Sequence, residues 1–144
     1  MFGRKKQPPL EFLKLDPYVT FIENAGGSVV TNNILTGAGK VRWASRENST
    51  NPVDNGWRFI SDIDDQKYLD DAGNSTIADF NTVANIEPAV LKLYTYPVGT
   101  DVTLERDGST LRWVHSDTGL ELGNETNETN ETNESNESDE SDES

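Results

Sequence analysis

Cysteine is absent from the 144 residues. That excludes disulfides, thiolate zinc sites and a cysteine nucleophile, and it fits a cytoplasmic setting. Histidine is nearly as scarce, since His115 is the only one, so no metal can rest on two imidazoles of this chain. No run approaches the ~20 consecutive apolar residues that a membrane helix needs, and no membrane partner is expected. The opening MFGRKKQPPLEF has basic residues but no apolar stretch behind them. Two prolines follow instead, so it does not read as a secretory signal. Positive charge is short too: 12 Lys and Arg stand against 26 Asp and Glu, a net charge of -14 at pH 7. Phosphate binding needs clustered Lys and Arg, so nucleic acid is not an expected partner. A basic protein is the electrostatically compatible one.

The charge that is present is unevenly placed. Residues 124–144 read NETNETNETNESNESDESDES, a three-residue repeat with seven Glu, two Asp and no base. Setting those nine acids aside leaves 17 acids against 12 bases, about -5 for residues 1–123. The repeat has no apolar surface to bury and repels itself, so it is expected to be disordered and extended. Its N-x-[ST] triplets, such as Asn124-Glu125-Thr126, would accept glycans only in a secreted protein. The expected division is an N-terminal arm with a short apolar segment over 1–25, a folded domain over 26–117, and a disordered acidic tail over 118–144.

Within the body, LEFLKLDPYVTFIEN is apolar enough for a short helix or strand, but Pro17 interrupts a helix there. SVVTNNI reads as a strand and LTGAGK as a Gly-punctuated loop. KVRWASRE alternates, with Val41 and Trp43 on one face and Lys40, Arg42 and Arg46 on the other. GWRFISD is a further strand that sets Trp57 and Phe59 against Arg58 and Ile60. IADFNTVANI and PAVLKLYTY are short helices, started by Asp79 or Asn81 and by Glu87-Pro88. DVTLERDGSTLRWV is a hairpin with Asp107-Gly108 as its two-residue turn. That register sets Leu104 opposite Leu111 and Val102 opposite Trp113 on one apolar face. One-sided patterning of this kind predicts an α+β fold, a small antiparallel sheet packed with two short helices. The expected core is Val41, Trp43, Trp57, Phe59, Val102, Leu104, Leu111 and Trp113.

The densest chemistry lies in NGWRFISDIDDQKYLDD, residues 55–71. As a calcium loop it fails. An EF-hand started at Asp62 needs Gly at its sixth position and Glu at its twelfth, and finds Lys67 and Gly73. No metal and no cofactor are expected, and a solvated acidic turn is the simpler reading. TGAGK lacks the P-loop spacing, with Val41 where Ser or Thr should follow. No G-x-S-x-G or H-E-x-x-H occurs, and no enzyme is expected. The three tryptophans lie on strand candidates and read as core, although Trp and Arg also favour interface centres.

Four segments carry a likeness: GSVVTNNILTGAGKVRWASRE, NPVDNGWRFISDIDDQKYLDD, IADFNTVANIEPAVLKL and YPVGTDVTLERDG. In this order they resemble a bacterial family of predicted immunity proteins of polymorphic toxin systems, formerly a domain of unknown function. The resemblance covers about residues 28–114. Its most specific parts are Gly56-Trp57-Arg58-Phe59, Tyr68-Leu69-Asp70-Asp71, Asn81-Thr82-Val83-Ala84-Asn85 and Pro97-Val98-Gly99. It implies an α+β domain that binds and neutralises a cognate toxin in the cytoplasm, and it brings no catalytic residues. Charge density beside an anchored strand then marks Arg58, Asp62, Asp64, Asp65, Tyr68, Asp70 and Asp71 as the expected partner-binding surface. The alternatives are a housekeeping domain and a metal-dependent enzyme using residues 62–71.

Overall fold

Segments rich in β-branched and aromatic residues pair into one six-stranded sheet. The computed structural model describes residues 10–123. The strands are β1 (Gly27–Thr31), β2 (Val41–Arg46), β3 (Asp54–Ser61), β4 (Ser75–Asp79), β5 (Asp101–Asp107) and β6 (Thr110–His115). Between them lie the helices α1 (Asn32–Thr36), α2 (Gln66–Leu69) and α3 (Phe80–Ile86), and 3-10 turns at Ala72–Asn74 and Pro88–Leu93. The class is α+β, as the one-sided patterning requires. The spatial order is β4-β1-β3-β2-β5-β6. The sheet is mixed, because β1 runs parallel to β3 while the other pairs are antiparallel. The basic arm at 1–9 and the repeat at 124–144 lie outside the described residues.

Helices α1 and α3 and the longer 3-10 turn pack on one face of the sheet. Val41, Trp57, Phe59, Val102, Leu104 and Trp113 are buried there with Val30, Ile34, Phe80, Val83, Val90 and Leu93. Three aromatic rings form the centre. Trp57 stacks on Phe59 at 6.1 Å, and Phe59 meets Phe80 at 5.9 Å. Each such pair contributes about 1 kcal/mol beyond the area it buries. Trp113 donates its indole N–H to the Ala89 carbonyl at 2.9 Å, which ties β6 to the 3-10 turn.

Two expected core residues are not in the core. Trp43 is 37% exposed. Val41 pairs with Ser61 but Trp43 pairs with Ile60, so β2 carries one extra residue at Arg42. That bulge resets the alternation. Ala44 then turns inward, Trp43 turns to the open face, and Arg42 lies 5.7 Å from the Trp43 ring. Arg46 turns inward with Ala44 and sits over the Trp57 ring at 5.8 Å. The second displaced residue is Leu111, 36% exposed. The hairpin turns at Gly108-Ser109, not at Asp107-Gly108, so Leu104 pairs with Trp113, Val102 with His115, and Leu111 with Arg106 near the tip. Gly108 has φ +62. A two-residue hairpin turn with glycine first needs this left-handed backbone at its first central position.

Two boundaries also move. Asn32 to Ile34, expected to continue the first strand, begin α1, and Ile77 to Asp79, expected to open a helix, close β4. Residues 118–122 return along β6: Val114 bridges to Glu121, Leu122 N–H donates to the Trp113 carbonyl, and the Leu122 side chain joins the core. At the other end, residues 10–24 form a strap without helix or strand. Two asparagines of α3, one turn apart, hold it. Asn81 Oδ1 accepts from Phe21 N–H and Ile22 N–H, and its amide donates to the Ile22 carbonyl. Asn85 makes the same paired contacts with Val19.

Candidate functional site

The acidic run follows directly from β3. Each of its carboxylates accepts a hydrogen bond that shapes the turn. Asp62 accepts from Lys40 N–H at 2.9 Å. Asp64 is half-buried and accepts from Ser61 N–H and from the Asn33 amide, both at 2.7 Å. Asp65 caps α2 by accepting from Tyr68 N–H at 2.8 Å, and Asp71 caps the following 3-10 turn through Gly73 N–H at 2.9 Å. Asp70 accepts from the Gln66 amide at 2.8 Å. Capping of this kind satisfies the free N–H groups at helix starts. It uses one carboxylate oxygen and leaves the negative charge in place. Asp62, Asp65, Asp70 and Asp71 are exposed, so the turn presents four charges to solvent on a fixed backbone.

Tyr68 lies against this turn. Burial raises its phenol above the ordinary 10.0, the Asp64 charge adds to that, and a hydrogen bond with the Asn33 backbone partly offsets it. The hydroxyl therefore stays protonated through the neutral range. Arg58 is placed elsewhere. It lies on the open face of the sheet, with its guanidinium turned back to Asp54 in a two-point contact at 2.9 and 2.9 Å. Glu47 stands 3.7 Å away. This pairing, led by the Arg58 hydrogen bond, lowers the Asp54 carboxyl from 3.8 to about 2. The structure thus gathers Asp62, Asp64, Asp65, Tyr68, Asp70 and Asp71 at one end of β3 and leaves Arg58 engaged in a separate ion pair. Lys40 and Asn33, which anchor the turn, escaped sequence reasoning because they lie more than twenty residues away in the chain.

Among the described residues, no group of three or more His, Cys, Asp or Glu is placed to hold a metal ion. Nor is any helix among them long and apolar enough to cross a membrane.

A sheet covered on one side, with an ordered acidic turn at the end of a central strand, is an α+β scaffold that offers charge on rigid backbone. Residues 28–114 match the family model of the Immunity protein Imm33 domain, and the chain belongs to that family. The match begins in β1 and ends in β6, so it takes in the sheet and the acidic turn. No curated protein and no solved structure matches the chain.

Proposed function

We propose that this protein binds a cognate toxin in the cytoplasm and neutralises it by occupying its surface, without chemistry of its own. The observation that carries the reading is the immunity-domain match across residues 28–114. The geometry supports a route. Four exposed carboxylates on capped backbone form a preorganised acidic surface, and such a surface speeds encounter with a basic groove and excludes the natural ligand of that groove. Tyr68 and Asp64 support the turn from beneath. Arg58 is a separate proposed contact on the open face of the sheet, with its guanidinium already engaged by Asp54.

The test separates charge from fold. Asn caps helices about as well as Asp, so Asp62→Asn, Asp65→Asn, Asp70→Asn and Asp71→Asn together remove the charge and keep the turn. The full-length chain, co-expressed with a toxic product of a neighbouring gene, is expected to restore growth and to form a stoichiometric complex. The fourfold Asn variant is expected to fold normally and to associate at least ~10-fold more slowly at physiological salt. Growth arrest despite a stable complex would remove neutralisation from the reading. Unchanged association would move the interface off the acidic turn.

A further inference from the structure

The two edges of the sheet are treated differently. The β6 edge is covered by the returning chain: His115 N–H donates to the Leu120 carbonyl and Leu122 N–H to the Trp113 carbonyl. Among the described residues, the β4 edge has no such hydrogen-bonded cover. Among the described residues, no hydrogen bond joins the strap to β4. Phe80 N–H donates to the Gly26 carbonyl. By antiparallel alternation, Ala78 and Thr76 also turn their backbone groups towards β1, and Ser75, Ile77 and Asp79 turn theirs outward. Ser75 N–H is used locally, on the Ala72 carbonyl. The Ser75 carbonyl, both Ile77 groups and the Asp79 N–H remain directed at the open edge.

Natural edge strands are blunted by Lys, Pro or a bulge. The sequence of β4, STIAD, has neither residue, its one charge is Asp79 at the C-terminal end, and its five pairings with β1 run without a break. Its flanks are apolar on both faces. Ile77, 59% exposed, lies over Gly27 and beside the exposed Val53. On the other face Phe12, Leu13 and Leu15 border Thr76 and Ala78 around a cavity of about 280 Å³.

We infer that β4 is a self-pairing edge, through which two copies of this chain join antiparallel about a twofold axis at Ile77 and extend one sheet across both. The register is self-complementary. Ile77 is the middle of five residues, so Ile77 meets Ile77 of the second copy as a mutually hydrogen-bonded pair. Asp79 N–H then meets the Ser75 carbonyl, and Asp79 falls opposite Ser75 and not opposite another acid. The two Ile77 side chains become cross-strand neighbours on the open face. The opposing force is repulsion between two acidic chains, which added salt screens. The dimer therefore tightens with salt, the reverse of what a basic partner would show.

The absence of native cysteine gives a direct test in the full-length chain. Mutually hydrogen-bonded antiparallel residues stand ~5.5 Å apart at Cα, within disulfide reach. Ile77→Cys is expected to yield a disulfide-linked dimer under mild oxidation, while Ile63→Cys, exposed in the acidic turn, is not. Sedimentation of the unmodified chain is expected to show a monomer–dimer equilibrium that shifts to dimer with salt, and Ile77→Lys is expected to abolish it without lowering the unfolding midpoint. Hydrogen exchange of the unmodified chain is expected to slow at the Ile77 and Asp79 amides as concentration rises, a readout that needs no variant. A monomer at every concentration and salt, or a dimer that Ile77→Lys leaves intact, would overturn the inference.

Discussion

At the scale of single residues, Gly56-Trp57-Arg58-Phe59 has a separate physical reason at each position. Gly56 has φ +92, and a Cβ there would run into the Glu47 carbonyl oxygen. Gly56→Ala is therefore expected to cost about 3 kcal/mol or more, read as a lower urea midpoint. Trp57 and Phe59 stack in the core, and Arg58 turns to the other face and holds Asp54. The depressed Asp54 carboxyl contributes stability that is fully present above pH 4 and is lost as pH falls through about 2. Its size is about 2 kcal/mol, because the Asp54 side chain is only 10% exposed and its carboxyl falls from 3.8 to about 2. Asp54→Asn should lower stability by that amount at pH 7, and most of the difference should be lost by pH 2 in a urea series. The inward facing of Trp57 and Phe59 was legible from alternation alone. The outward facing of Trp43 was not, because one extra residue in β2 moved it to the other face and no local signal marks the bulge.

The acidic turn belongs to the scale of elements. Asp65 and Asp71 could be read as caps from their places before short turns, because the N–H groups they accept lie within three residues. The role of Asp62 and the Asn33 contact of Asp64 could not, because Lys40 and Asn33 come from the α1–β2 region. A run of acids thus looked like pure surface charge when it is also the internal bracing of the turn. Two substitutions at one position distinguish these roles. Asp65→Ala is expected to lose about 1 kcal/mol by loss of the α2 cap, and Asp65→Asn only a few tenths, both read by thermal unfolding. If the two cost the same, the cap is not what Asp65 supplies. The hairpin was legible in position and faces but its register moved by one turn position. Asp-Gly marks a turn reliably, yet here the left-handed glycine begins the two-residue loop.

For the whole molecule, the class was legible because one-sided strands and capped helix starts agree. The strand order was not, because it depends on contacts far apart in sequence. The two proposed surfaces adjoin, since the acidic turn runs through the 3-10 turn at Ala72–Asn74 into β4, but they are expected to respond to salt in opposite directions. Titrating salt against both toxin association and self-association therefore separates them in one preparation. The placement of β3 has a further consequence. It lies between β1 and β2, which precede it in the chain and do not touch each other as strands. During synthesis the ribosome releases β1 and β2 with no partner for either, and neither can join the sheet until residue 61 has emerged. From that moment β3 pairs with both neighbours, and β4 and β5 add outward on either side as they are made. Translation speed over residues 47–61 thus sets how long two apolar strands stay exposed in a newborn chain.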